Sequence, residues 1–552
     1  MVSWNQDEIL REMEDLTVEL VNVRSVNGTP GEVEIAEKIE SILRGYSYFE
    51  ENPHQVWTKT VDNDPLGRKS VFALLKSEKA SNRTILLHAH SDTVTIDDFG
   101  SLKEWANRPY ELMDKLKESD LLPEVRADLE SGDWLFGRGA VDMKSGTAAH
   151  LVVLKYLSEN RHAFKGNILF MTNPIEETTH GGIIDTLPEL ERMQSEENLV
   201  FECAINTDFV GPLYKGDVTR YIYLGSVGKL LPAFYIRGKE THVGQAFEGM
   251  DPNLIASVLT RRIDLNADLA DEAEGEVTQP PVTLKQKDLK PTYNVQTPIS
   301  SFVYFNYYVH QITPDRVLDQ LSLIAEDSFN DVINKLNSEY KKHCERSGME
   351  FKQLPWKTRV TTYSALFEKV YGLHGEEVNE RLGRILEQHA AHMDPREVGR
   401  LMVEELLVLD DDQSPVIVLF FATPYVPRNF VKGQTKKEKD LLEKLNLLIE
   451  EAASETGDTF TIHKFFPSLT DSSYLCLDDT DEEIEILKKN YPGMDTLYPV
   501  PIEKIRKLNI PALNFGAWGK DAHKKTERVY KPYTFGILPC LIKNYCLKVL
   551  NE

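Results

Sequence analysis

The sequence predicts an α/β fold in which a domain built on a mostly parallel sheet is interrupted by an inserted second α/β domain. Three observations predict it. Short β-rich runs alternate with helical patterns through the first 215 residues, and strands interleaved with helices need crossover connections. Near Leu213 to Thr219 the pattern changes to a βαββα sequence of its own. After the charged stretch "GQTKKEKD" the α/β character returns. At 552 residues the chain exceeds what one hydrophobic core organises, so the expected division is 1–215, 216–427 and 428–552, the outer two segments forming one domain.

The elements follow in order. Apolar residues at helical spacing predict helices over about Gln6 to Val23 and Gly31 to Leu43. "SVFALLK", "TILLHAH", "NILFMT" and "LVFECAIN" have strand length and β-branched content, with the helical "MKSGTAAHLVVLKYLSE" between the second and third. In the inserted region, "RYIYLGSVGKLLPAFYIRG" predicts a strand pair turning at Val227-Gly228. "DPNLIASVLTRRIDL" predicts a helix and "SFVYFNYYVHQI" a strand. "TPDRVLDQLSLIAEDSF" opens a long helix with Thr313 as N-cap and Pro314 in its first turn. Helical segments run on from Ala365 to Leu407, and "PVIVLFFATPYV" is a buried strand. "KDLLEKLNLLIEEAASE", "PALNFGAW" and "FGILPCLIKNYCLKVL" close the chain as helix, strand and helix.

A formal charge of -25 argues against nucleic acid as a partner. No apolar run is long enough to span a bilayer, and the first residues carry early acids and no apolar signal region, so a cytoplasmic protein with no membrane contact is expected. The five cysteines are scattered and never spaced Cys-x-x-Cys, which favours reduced thiols. Any metal would be held by histidine and carboxylate.

Candidate chemistry lies at five places, four of them after apolar runs of strand length: His90 and Asp92, Asp142, Glu176 and Glu177, Asp208, and His523. Ligands in open α/β sheets sit beyond the carboxyl ends of the strands, so residues far apart in sequence converge there. Each has an ordinary explanation alone. A histidine beside a strand is usually a hydrogen-bonded structural residue, Asp142 could cap the following helix, Glu176-Glu177 could be a solvated pair, and Asp208 a turn acid. Together they put acids and imidazoles at one rim of one sheet. Two histidines with three spare carboxylates suit Zn²⁺ first, then Mn²⁺ or Co²⁺. Two ions about 3.5 Å apart need a bridging carboxylate plus an acid and an imidazole each, which this set supplies if Asp142 bridges. In "ILLHAHSDTVT", strand spacing alone lets His88, His90 and Asp92 all face one ion.

"HSDTV", "GRGAVDMKSG", "PIEETTHGG", "INTD", "RGKETHVGQAFEGMDP", "TDSSYL" and "AHKKTERVY" resemble, in order, the motifs of the co-catalytic zinc aminoacylase and carboxypeptidase G family, which includes acetylornithine deacetylase and succinyl-diaminopimelate desuccinylase. The wording around them is most similar to its arginine-utilisation branch. The resemblance implies a di-metal peptidase domain with an inserted lid. It implies that Asp142 bridges two ions, that His90 and Asp208 complete one site, and that Glu177 and His523 complete the other. Asp92 would orient the His90 imidazole. Glu176 would be the general base toward water attacking an amide carbonyl, in a small N-acyl amino acid or dipeptide-like substrate. His242 matches a lid histidine that stabilises the oxyanion. Relatives often carry an Asp-Arg pair on the lid strand; "SFVYFNYYVHQI" has no arginine, and Asn294 in "PTYNVQTP" is assigned as the substrate contact. His88 becomes a buried supporting or packing residue.

Two other readings compete. "HAH" could be the His-x-His of an amidohydrolase barrel, although the later strand ends supply acids where that fold needs further histidines. A noncatalytic binding protein could keep the peptidase fold without metal. The resemblance allows either a homodimer formed through the lid or a monomer whose enlarged lid replaces the second subunit.

Overall fold

The computed structural model describes residues 5–551. Two compact units form. The first comprises the chain up to Ser226, Asn429–Leu477 and the chain from Pro501; the second comprises Val227–Arg428 and Asp478–Val500.

The first unit is built on an eight-stranded sheet. Its strands in chain order are β1 (Val56–Thr60), β2 (Lys69–Lys76), β3 (Lys79–His90), β4 (Lys165–Asn173), β5 (Val200–Asn206), β6 (Arg220–Tyr223), β7 (Phe460–His463) and β8 (Ala512–Asn514). Across the sheet they lie in the order β1-β2-β4-β3-β5-β8-β6-β7. The central four, β4, β3, β5 and β8, run parallel. β2 runs antiparallel to both its neighbours, β1 and β4, and β6 runs against β8. An open sheet with edges at β1 and β7 excludes the amidohydrolase barrel. The strands "LLHAH" and "ILFMTN" are buried on both faces, as strands covered by helices must be. The helices Gln6–Val21, Ser145–Glu159 and Leu538–Asn551 contribute Leu20, Val153 and Ile542 to that core.

The second unit has the expected βαββα order: Pro232–Arg237, Pro252–Ile263, Val282–Asp288, Ser300–Val309 and Pro314–Ser347. Its six-stranded sheet adds Val416–Phe421 beside Pro232–Arg237. Thr313 stands at the N-cap of the long helix, but its hydroxyl turns to the Asp315 carboxylate rather than to a backbone amide.

Two expectations change. The strand pair turning at Val227-Gly228 does not exist. Arg220–Tyr223 joins the first unit's sheet while Pro232–Arg237 joins the second's, because the chain leaves one unit for the other between Ser226 and Val227. Gly225 is required there, since a Cβ would lie 2.1 Å from the carbonyl oxygen of Asn429. The segment 428–552 was expected to lie wholly in the first domain, but Asp478–Val500 belongs to the second unit. Its backbone is tied in by the Phe421 amide donating to the Asn490 carbonyl at 2.8 Å, and Glu483 accepts from Arg428 at 3.0 Å. The helix Asp481–Lys489 is ordinary in composition, so nothing local marks where it docks. No helix among the described residues is long and apolar enough to cross a membrane.

Glu397 of the second unit accepts from Lys287 at 2.7 Å and Arg400 at 2.8 Å. Partial burial pushes its carboxyl up, but these cations win and hold it at about 2. A carboxyl depressed in the folded state contributes stability above its unfolded pKa of about 4.5, and that stability is lost as pH falls toward 2. The destabilisation caused by Glu397→Gln is therefore expected to be full above about pH 5 and to vanish near pH 2. Urea unfolding of both proteins across that range checks it; a pH-independent difference would contradict it.

Candidate metal centre

β3 ends at His90, β4 at Asn173, β5 at Asn206 and β8 at Asn514, so four parallel strands deliver their carboxyl ends to one rim. Within the register His90 lies opposite Asn173, and His88 opposite Asn206. His88 is fully buried, and its Nε2 lies 2.9 Å from the Asn173 Oδ1. His90, one pleat further out, reaches the rim.

The second contribution is the turn "GRGAVDMKSG". Gly139 takes φ 80°, a left-handed conformation that suits glycine, and the Asp142–Met143 peptide bond is cis. The turn is held from behind by Glu527, whose Oε1 accepts from the amides of Val141 (3.3 Å) and Asp142 (3.4 Å). Its Oε2 accepts from Arg138 at 2.6 Å. Gly146 lets the following helix seat on β5, since a Cβ would stand 2.4 Å from the Thr207 carbonyl oxygen. So placed, Asp142 shares its carboxylate between two imidazoles: Oδ1 is 3.1 Å from His90 Nε2 and Oδ2 is 3.0 Å from His523 Nε2. Burial pushes Asp142 up, but the imidazoles hold it far below the usual carboxylate range. Partial burial lowers His523, and Asp142 and Glu177 raise it to about 11.

The third contribution is the turn after β4. Ile175 (φ 68°) and His180 (φ 55°) are both left-handed and bracket the short helix Glu176–Thr179, and the His180 amide closes onto the Ile175 carbonyl at 3.0 Å. Such a backbone is costly for a β-branched residue and persists only where the surroundings impose it. Here they do. Asp92 accepts from the Glu176 amide at 3.0 Å, the Glu177 amide at 3.1 Å and Asn27 Nδ2 at 2.8 Å. Glu32 accepts from the Ile175 amide at 3.2 Å. Burial raises Asp92, yet its bonds to His90, Asn27 and the Glu177 amide keep it below its ordinary range. The two glutamates then diverge. Glu177 Oε2 lies 3.1 Å from His523 Nε2, while Glu176 Oε1 faces His180 Nδ1 at 3.6 Å. Burial drives Glu176 well above the carboxylate range; Asp208, Glu177 and Asp471 add to this and His90 opposes it.

Asp208 follows β5, is buried, and accepts from the Phe209 amide at 2.9 Å. Burial first, then the nearby Asp142, raises it to about 7. His90, Asp142, Glu177 and His523 thus form one continuous chain of contacts, and Asp208 feels its charge. Asp92 lies beside His90, although the acceptor nearest His90 Nδ1 is the Asp92 carbonyl at 3.1 Å, with the carboxylate at 3.7 Å. His242 and Asn294 belong to the second unit, on paired exposed segments: His242 bridges to Gln296, and Asn294 Oδ1 accepts from the Gln296 amide at 3.0 Å. Sequence reasoning passed over Asn27, His180, Asp471 and Glu527. The last three stand inside "PIEETTHGG", "TDSSYL" and "AHKKTERVY", yet their roles come from partners hundreds of residues away.

Carboxylates and imidazoles gathered at one rim could hold a metal ion, and the match to a peptidase family makes the protein a metal-dependent hydrolase of the peptidase and amidohydrolase class. The chain belongs to peptidase family M20/M25/M40, whose profile matches residues 86–477. It is 43% identical to protein RocB of Bacillus subtilis (strain 168), over 98% of this chain and 95% of that one. Its fold is similar to that of aminopeptidase PepT from Bacillus cereus ATCC 10987, with TM-score 0.51 at 13% identity over 99% of both chains. It is also similar to the YXEP protein of Bacillus subtilis, a dinuclear metal binding peptidase from the M20 family, with TM-score 0.50 at 12% identity over 99% of both chains.

Asp92→Ala would leave the amides of Glu176 and Glu177 without their acceptor, at about 1–3 kcal/mol for each buried donor. Faster amide hydrogen exchange in a peptide covering 174–180, with a lower unfolding temperature, is the expected outcome. Unchanged exchange there would show that Asp92 does not hold the turn.

Proposed function

We propose that the protein hydrolyses an amide bond in a small N-acyl amino acid or dipeptide-like substrate linked to arginine utilisation, using two divalent ions, Zn²⁺ first, with Glu176 as general base. The observation that carries this reading is the Asp142 carboxylate standing between His90 and His523 while Glu177 also reaches His523. The donors suit the ions: Asp142 as bridge, His90 and Asp208 on one side, Glu177 and His523 on the other. Glu177 Oε1 is buried without a hydrogen-bond partner, a polar atom that a cation would satisfy. When bound, such a pair supplies Lewis acidity, lowering the pKa of water and polarising a carbonyl.

The chain's own residues do the rest. Asp92 fixes the imidazole of His90 and the divergence of the glutamates. Glu176, buried and committed to neither His90 nor His523, takes a proton from the attacking water at its carboxylate and returns it to the departing amine. His242 is the proposed oxyanion stabiliser and Asn294 the proposed substrate contact; both rest on their motifs.

Protein purified without chelator is expected to carry about two equivalents of divalent metal by mass spectrometry. No bound metal after reconstitution with zinc or manganese would sink the reading. Glu176→Ala is expected to keep the metal and lose turnover by about 10²–10⁴-fold, measured as amine release from a panel of N-acetyl amino acids and dipeptides. Asp142→Ala and His90→Ala should lose metal, whereas His88→Ala should mainly lose stability.

A further inference from the structure

We propose that His180 and Asp471 form a positioning pair that fixes the carboxyl group of Glu176; the proposal rests on the reading of Glu176 as general base. Asp471 comes from the loop after β7, 291 residues from His180, and its Oδ1 lies 2.9 Å from His180 Nδ1. The same nitrogen is 3.6 Å from Glu176 Oε1, and ligand-type atoms of the three residues all lie within 4.8 Å of one another. All three side chains are buried. The Tyr474 ring, 5.3 Å away between centroids, packs against the imidazole.

Charge explains the arrangement. Glu176 stands among Asp208, Glu177 and Asp471, and carboxylates crowded in a low-dielectric pocket repel one another. A glutamate has rotatable bonds enough to swing away from such neighbours. The His180 imidazole, hydrogen-bonded to Asp471 at 2.9 Å and facing Glu176 at 3.6 Å, stands as the polar N–H between two mutually repelling acids. The backbone of His180 closes the turn that carries Glu176, and its imidazole is held by Asp471 and the Tyr474 ring. Asp471 is anchored in turn by its loop: the neighbouring Thr470 hydroxyl accepts from Asn206 Nδ2 at 2.8 Å, and Thr470 also bonds to Asp208. One loop therefore reaches the proposed base through His180 and the proposed ligand Asp208 through Thr470. A base misplaced by about 1 Å costs on the order of 10²-fold in rate, which is the scale on which this pair would act.

The test uses zinc-loaded full-length protein. His180→Gln and the near-isosteric Asp471→Asn are each expected to lower kcat roughly 10–100-fold on the best substrate of the panel, with KM and two equivalents of zinc unchanged. In a Glu176→Ala background the same substitutions should have no further effect, whereas a merely structural role would lower activity in both backgrounds. Crystals of zinc-loaded His180→Gln should show the Glu176 carboxyl displaced by about 1 Å or more while Glu177 stays in place. Effects that multiply with Glu176→Ala, or an unmoved Glu176, overturn the proposal. So does loss of a third metal equivalent in either variant, which would assign the triad to a cation. Wild-type turnover in Glu176→Ala itself would instead overturn the general-base reading, so the two failures are separable.

Discussion

One buried carboxylate organises the rim of the sheet. Asp92, two residues past the end of β3, gathers the amides of Glu176 and Glu177 and the side chain of Asn27 with its carboxylate, while its carbonyl meets the imidazole of His90. Burying a charge is costly unless hydrogen bonds replace its water, and here they do so well enough to hold the Asp92 carboxyl below the ordinary carboxylate range. The partners it gathers come from three separate segments. Because the strands carrying two of them are direct neighbours in the sheet, the spacing between His90 and the glutamate turn is set by the parallel register of β3 and β4.

A second buried acid does the same for the other side. Glu527 grips the backbone on which Asp142 stands, and its remaining oxygen is neutralised by Arg138, which also reaches Asp98 at 2.7 Å. Four residues before Glu527, His523 takes φ 65° and turns its imidazole to Asp142 and Glu177. His523 and Glu527 both lie in the loop joining the antiparallel strands Gly519–Lys520 and Arg528–Tyr530, so the hairpin that presents the imidazole also locks the turn that presents the carboxylate. Geometry at the shared carboxylate is over-determined by backbone contacts and does not depend on side-chain rotamers alone.

Much of this was legible in the sequence, and the limits are instructive. "TILLHAH" and "NILFMT" show strand length and apolar content locally, so β3 and β4, and with them the rim positions of His90 and Glu176, follow from pattern. The βαββα order of the second unit is equally local. What pattern does not carry is pairing. "RYIYLGSVGKLLPAFYIRG" has the look of a hairpin, yet its two strands enter different sheets, and no propensity distinguishes a tight turn from a crossing between units. Asp471 and Glu527 looked like ordinary polar residues because their partners are distant. His88 and His90 are identical by spacing, and only the step along the strand, one to Asn173 and the other to Asp142, separates them.

The position of β8 has a consequence for how the molecule is made. Ala512–Asn514 lies between β5 and β6, in the interior of the sheet, although it is the last of the eight strands to leave the ribosome. Until it arrives, β6 and β7 have no neighbour to join them to β5, and the imidazole of His523 does not yet exist beside Asp142. Without β8 the sheet has an open seam between β5 and β6, and Asp142 and Glu177 lack the His523 imidazole. Non-local pairing of this kind is slow. Because His523 closely follows β8 in the chain, the segment that closes the sheet also carries the second imidazole of the charged cluster.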